Sequence, residues 1–233
     1  MKQTMVLAGI VIAVNMLSGR IYAMASRRIP TSIQAARDPA VKGVLLRNPN
    51  PRGCLPETFE KRCKDAPAYG HFPGRRGAVP FAEGLFVSYR WFDKKTIAPR
   101  FPFGFGLSYT TFQLGGLELF QRGVGRDRMI TVRVSVTHTG RRAGTAIIQL
   151  YIHPIPGGAI ERVVQKLEGF QGVELRPGPT RQVSMRLDWK DFAGFNGQTN
   201  TWFVPPGRYE IGVGTSSRDE PLARTISWPS ATP

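Results

Sequence analysis

Between residues 129 and 213 apolar and polar positions alternate with a period of two. Ile130, Val132, Val134 and Val136 are separated by Thr131, Arg133 and Ser135, the pattern of a strand with one buried face. Ala146–Ile152 is more continuously apolar and reads as a central strand. Val163–Leu175 holds one or two strands, and Val183, Met185 and Leu187 alternate again. Trp202-Phe203-Val204 and the series Tyr209, Ile211, Val213 complete the set, with Trp202 assigned inward. Thr139-Gly140, Pro156-Gly157-Gly158, Pro177-Gly178, Asn196-Gly197 and Pro206-Gly207 mark the turns. Roughly seven short strands in ~115 residues predict an immunoglobulin-like β-sandwich. Its expected core is Leu117, Val132, Val134, Val136, Ile148, Leu150, Phe170, Val183, Leu187, Tyr209, Ile211 and Val213.

Upstream the rhythm differs. In Phe81–Lys95 the residues Phe81, Leu85, Phe86, Tyr89 and Phe92 recur at helical spacing and predict a short helix buried by its aromatic side. Residues 54–80 are rich in proline and glycine and read as irregular chain, a length that in a compact domain usually belongs to something functional or wraps a neighbour. The fold class expected is therefore mainly β. A sandwich over residues 106–230 follows a largely irregular segment that starts near residue 41.

Composition narrows the function. The net charge is +16, from 32 Lys+Arg against 16 Asp+Glu. Such a balance suits nucleic acid or an anionic surface. The basic residues, however, fall as scattered pairs, Arg27-Arg28, Arg75-Arg76 and Arg141-Arg142, without a basic run, a zinc-finger spacing or an RNP1 pattern. No nucleic-acid partner is expected. Cys54 and Cys63 allow one disulfide in an exported protein, or two free thiols. With His71, His138 and His153 scattered, they form no metal spacing, and neither metal nor cofactor is expected. Lys2, the apolar run Met5–Leu17 and Ala23-Met24-Ala25 read together as a secretory signal peptide over residues 1–25, too short for a membrane span. Localisation outside the cell is expected on that ground. An Arg-rich linker over residues 26–40 follows it.

The segment EGLFVSYRWFDKK (83–95) followed by APRFPFGFGLSYTTF (98–112) resembles glycoside hydrolase family 3, in particular the fungal-type β-glucosidases. VLLRNPNPRGCLPETF (44–59), AYGHFPG (68–74), VTHTGRRAG (136–144), QKLEGFQGVELRPG (165–178) and VPPGRYEIGVGTSSRD (204–219) are similar to further stretches of that family. The resemblance implies that residues 41–105 are the C-terminal remnant of an α/β sandwich domain. Residues 106–230 would be a fibronectin type III-like domain. Residues 101–112 would plug the junction, with Phe101, Phe103, Phe105 and Tyr109 buried between the two layers. Ser88 stands where the family commonly has glycine, Arg100 where an apolar residue is usual, Cys54 where a basic one is, and His138 where asparagine is.

Retaining glycoside hydrolysis needs two carboxyl groups ~5–5.5 Å apart. The resemblance places one on a barrel and the other upstream of the segment matched here, so no catalytic residue is expected in this chain. Asp188, in Leu187-Asp188-Trp189, mimics the family's nucleophile context but sits at a strand end. Glu83 and Asp93, ten residues apart, would lie ~15 Å apart along a helix. Glu83 is expected to cap the helix or pair with a residue such as Arg90. Glu57 and Glu60 could share a helix face, as solvated charges. The expectation is an accessory portion of a β-glucosidase that meets a β-glucoside substrate only when the missing domains are supplied. A stand-alone carbohydrate- or surface-binding sandwich, motivated by Trp189, Trp202 and Trp228, is the alternative. A truncated gene model is a third reading.

Overall fold

The computed structural model describes residues 50–74, 76, 78–154 and 160–229. The expected signal peptide, the linker and the Pro156 turn fall outside them. Nine strands are described: β1 (Phe112–Arg122), β2 (Met129–His138), β3 (Gly144–Pro154), β4 (Lys166–Leu175), β5 (Thr180–Leu187), β6 (Gly194–Asn196), β7 (Thr201–Phe203), β8 (Gly207–Gly214) and β9 (Leu222–Trp228). Two short helices accompany them, α1 (Tyr89–Lys94) and α2 (Trp189–Phe192).

The strands form a three-stranded sheet, β1-β2-β5, and a four-stranded sheet, β4-β3-β8-β9. A separate hairpin is made by β6 and β7. All pairs are antiparallel. The register follows the alternation. Val134 lies opposite Val183, and Ile130 opposite Leu187, so both strands turn the same apolar set inward. The two sheets close over one core in which Val132, Val134, Val136, Ile148, Leu150, Ile211 and Val213 are fully buried.

Phe192, Tyr209 and Trp228 plug one end of the sandwich. The Phe192 ring meets Tyr209 edge-on at 5.3 Å and Trp228 at 5.1 Å. The Tyr209 hydroxyl donates to the Pro205 carbonyl at 2.6 Å, a bond back to the chain just upstream that sandwich folds of this kind use to fix a corner.

The expected core residues are buried with one exception. Phe170 is 71% exposed. It sits on β4 opposite Gln149, on the face away from the sandwich core. Trp202 is likewise exposed rather than core, because β7 pairs only with β6 and joins neither large sheet. Strand β9, with Ile226 and Trp228 inward, was not anticipated.

Residues 50–111 form a strap over the outer face of the four-stranded sheet. Its two limbs are tied together: the Leu55 amide donates to the Phe105 carbonyl at 2.8 Å, the Gly104 amide to Leu55 at 2.8 Å, and the Phe59 amide to Phe101 at 2.9 Å. No regular α/β layer is present among the described residues before Tyr89. The helix expected over 81–95 is shorter. Phe86, Tyr89 and Phe92 are buried, but Phe81 and Leu85 are exposed. Gly84 and Ser88 take positive φ, +54° and +55°, and break the helical path before Tyr89. Helical spacing without helical backbone leaves Phe81 and Leu85 off the buried face.

Candidate functional site

The site that the fold assembles is the joint between strap and sandwich. Strand β3 is buried on both sides. Its even positions face the core, and its odd positions, Gln149, Tyr151 and His153, face the strap. Tyr89, on the first turn of α1, packs edge-on against Tyr151 at 6.1 Å and against Phe103 at 5.3 Å. Its hydroxyl accepts the Leu167 amide at 2.9 Å. The Phe103 carbonyl accepts the Ser217 amide at 2.9 Å.

Gly104 makes the closest approach. A Cβ there would lie 2.2 Å from Gln149 Nε2, and the residue has φ +83°. Gln149 cannot swing away cheaply, since its amide donates to the Thr215 carbonyl at 3.1 Å and its oxygen accepts from the Tyr151 hydroxyl. Position 104 therefore needs glycine for space and for backbone conformation.

Beside these rings sits a charged cluster. Asp93, on α1, accepts from Gln165 Nε2 at 2.8 Å and lies 2.7 Å from the Arg218 guanidinium. The Gln165 amide also donates to the Ser217 carbonyl at 3.0 Å. His153 Nε2 lies 2.8 Å from Glu220. One cluster thus draws on α1, β3, the start of β4 and the β8–β9 turn.

Burial pushes the Asp93 carboxyl above its ordinary range; the Gln165 hydrogen bond and the charges of Arg218 and His153 oppose the rise without cancelling it. For His153, burial lowers the imidazole pKa. The Glu220 hydrogen bond and the charges of Glu220, Glu210 and Asp93 outweigh burial, and the net direction is upward. Burial also raises the Tyr151 hydroxyl. Each carboxylate of the cluster already has a cation or donor in contact, the pattern of a structural ion-pair network.

The remaining acidic residues singled out in the sequence are dispersed. Asp188 is the N-cap of α2: its carboxylate accepts the Lys190 amide at 2.6 Å, and its own amide donates to Asp191 at 2.6 Å, a reciprocal capping box. Glu57 and Glu60 share no helix; they flank the Phe59–Phe101 bridge. Partial burial, and secondarily the Glu60 charge, raise the Glu57 carboxyl. Glu83 contributes its carbonyl, which accepts the Phe86 amide at 2.9 Å.

Of the aromatics at the junction, Phe101, Phe103 and Phe105 are half-buried, and Phe101 stacks on Phe105 at 5.1 Å. Tyr109 is exposed rather than buried.

One cleft lies at the joint and another on the opposite sheet. One, of about 390 Å³, runs between the strap at Arg52–Cys54 and Gly104–Ser108 and the β3 residues Thr145 and Ile147. The other, of about 750 Å³, lies across the outer face of β1-β2-β5 around Phe120, Arg122, Arg133 and Arg186. Neither is lined by Asp93, His153 or Glu220. Cys54 and Cys63 are free thiols, and burial raises the Cys54 thiol. Among the described residues no group of three His, Cys, Asp or Glu side chains is placed to hold a metal ion. No described helix is long and apolar enough to cross a membrane.

The sequence named Asp93 but not its partners. Gln165, Ser217, Arg218 and Glu220 carry no local pattern; they meet only when the β4 start and the β8–β9 turn close on β3.

The closed two-sheet core and the Tyr209 corner define a fibronectin type III-like sandwich, and the family of that description matches residues 146–217. Over 187 residues the chain is 40% identical to the thermostable β-glucosidase B of Acetivibrio thermocellus, covering 80% of this chain and 25% of that protein. It is 38% identical over 194 residues to a β-glucosidase of Rhizobium radiobacter, covering 82% of this chain and 24% of the relative. The crystal structure of a family 3 β-glucosidase from Bifidobacterium adolescentis superposes with a TM-score of 0.77 at 33% identity, over 84% of this chain and 29% of that one. In sequence and fold this chain matches the C-terminal portion of family 3 glycoside hydrolases, its relatives there being β-glucosidases. It spans about a quarter of the length of the curated relatives it matches.

Proposed function

We propose that this chain serves as the accessory, non-catalytic portion of an enzyme that hydrolyses terminal β-D-glucosyl residues in the breakdown of β-glucans such as cellulose. Residues 41–105 would join the sandwich, residues 106–230, to the hydrolytic body. The observation that carries this reading is the two-sided construction of the strap. Its inner side is anchored on β3 through Tyr89 and Gly104, and on the β8–β9 turn through Asp93. Its outer side leaves Tyr69, Phe72, Phe81, Leu85 and Val87 more than half exposed, an apolar surface larger than a solvated loop needs. That surface suits a packed domain neighbour.

The carboxylates support the same reading. Asp93, Asp188 and Glu220 are each engaged in structural contacts, whereas a retaining pair must face a substrate from ~5–5.5 Å apart. The reading extends to an exported enzyme, on the residue 1–25 sequence alone.

Purified chain assayed on an aryl β-glucoside should show no turnover. Turnover abolished by one carboxylate substitution would overturn the proposal. Added to a family 3 body that lacks this portion, the chain should restore thermal stability, and Phe81→Ser with Leu85→Ser should weaken the restoration.

A further inference from the structure

We propose that the β6–β7 hairpin is a binding platform for neutral β-linked glucan, in which Phe195 and Trp202 stack on pyranose rings. Phe195 and Trp202 are direct cross-strand partners. Their ring centroids lie 5.4 Å apart, tilted by 58°. Both remain open, Phe195 at 46% and Trp202 at 57% exposure. A hairpin of this size has no core of its own to explain two large aromatics on one face. Paired rings contribute to hairpin stability, and here they also leave much of both surfaces open to a ligand.

The surroundings select the ligand. From Ala193 to Val204 the sequence AGFNGQTNTWFV contains no charged residue, in a chain with 32 Lys+Arg. The polar groups beside the rings are amides and hydroxyls. Asn196 Oδ1 accepts the Gln198 amide at 2.9 Å and so shapes the turn, and the Thr199 and Thr201 hydroxyls lie 2.7 Å apart. Gln198, Thr199, Asn200 and Thr201 are exposed. Such groups hydrogen-bond sugar hydroxyls, while the axial C–H faces of β-linked glucose suit an aromatic surface. A polyanion would find no countercharge here. The contrast is the outer face of β1-β2-β5, where Phe120 is ringed by Arg122, Arg133 and Arg186.

The hairpin pairs with neither large sheet. Gly194 backs onto Ile160, while Phe195 and Trp202 keep their rings open. This inference concerns binding and holds whether or not the chain is catalytic.

The test is affinity electrophoresis of the whole chain in native gels that contain soluble β-1,4-glucan (hydroxyethylcellulose), with heparin gels as the charged counterpart. The wild-type chain should be retarded by the neutral glucan. Trp202→Ala should weaken that retardation by about tenfold or more in apparent affinity. Trp202→Tyr should keep most of it, and mobility in heparin should be the same for all three. Since Trp202 is exposed, the variants should keep the wild-type circular dichroism. Absence of retardation by the glucan, or retardation equal in wild type and Trp202→Ala, would overturn the proposal. Neither result bears on the turnover assay, so the two proposals fail separately.

Discussion

The sandwich and the strap are both rich in apolar side chains, aliphatic in the one and aromatic in the other, yet they use them differently. In the sandwich each strand of the two large sheets has an opposite layer, and Val132, Val134, Ile148 and Ile211 lose all contact with solvent. In the strap burial is patchier: Leu55, Phe86, Tyr89 and Phe92 are buried, while Phe72 and Phe81 are 77% and 82% exposed. Burial needs two sides. The strap has one side here, and its outward aromatics mark where a second would lie. The comparison also separates two kinds of polar interior. The sandwich core contains almost none, whereas the joint is held by Asp93, Gln165, Arg218, His153 and Glu220.

The largest expected effect lies in the sandwich. Phe192→Ala removes the ring that seals Tyr209 and Trp228 and should cost about 3–5 kcal/mol of unfolding free energy in urea titration. A loss below ~1 kcal/mol would mean that this end of the sandwich is not closed by Phe192. Gly104→Val strikes the joint instead. Overpacking there should cost roughly 1–3 kcal/mol. Hydrogen exchange should then rise over residues 50–106 while β2, β3 and β8 stay protected. Uniform loosening of both regions would show that strap and sandwich form one cooperative unit.

A stabilising change sharpens the contrast. Ser88 is held at φ +55°, ψ −131°, a conformation suited to glycine, and its hydroxyl is buried without a partner. Ser88→Gly should gain on the order of 1–3 kcal/mol. An unchanged or lowered melting midpoint would remove backbone strain at the start of α1 as a feature of this chain.

The joint should also respond to pH, and the sandwich core should not. Because the folded pKa of His153 is raised, its contribution is complete below the ordinary imidazole value near 6.5 and is lost as pH rises through the folded value. Asp93 is raised too, by burial, and favours the folded state less as pH climbs past its ordinary range. The two effects share a sign. Raising pH from 6 to 8 should lower the melting midpoint by about 2–4 °C, and His153→Gln should flatten that dependence. A midpoint that rises over this interval would contradict the assignment. The smallest effect belongs to the surface pair Arg52–Glu174, 3.0 Å apart and well exposed on both sides. Glu174→Gln should change stability by ~0–1 kcal/mol, the least of the series.

The sandwich was largely legible because a strand writes its burial into alternate residues. Val132, Val134, Val136, Val183 and Leu187 needed only a period of two to be placed inward. The same rule failed at Phe170 and Trp202, where alternation gave the side but not what covers it: β4 turns Phe170 to its outer face, and β7 belongs to no large sheet. Helical spacing failed at Phe81 and Leu85 because spacing does not report backbone angles, and Gly84 and Ser88 take values that no helix contains.

The residues alone determined the sandwich and the family likeness of the junction segment, since these depend on neighbours in sequence. Only the tertiary structure decided that Asp93, His153, Gln165, Arg218 and Glu220 would meet, that Asp188 would cap a helix, and that Phe195 and Trp202 would share an open face. Contacts between residues far apart in the chain are chosen by which surfaces pack together, and a local pattern does not encode that choice.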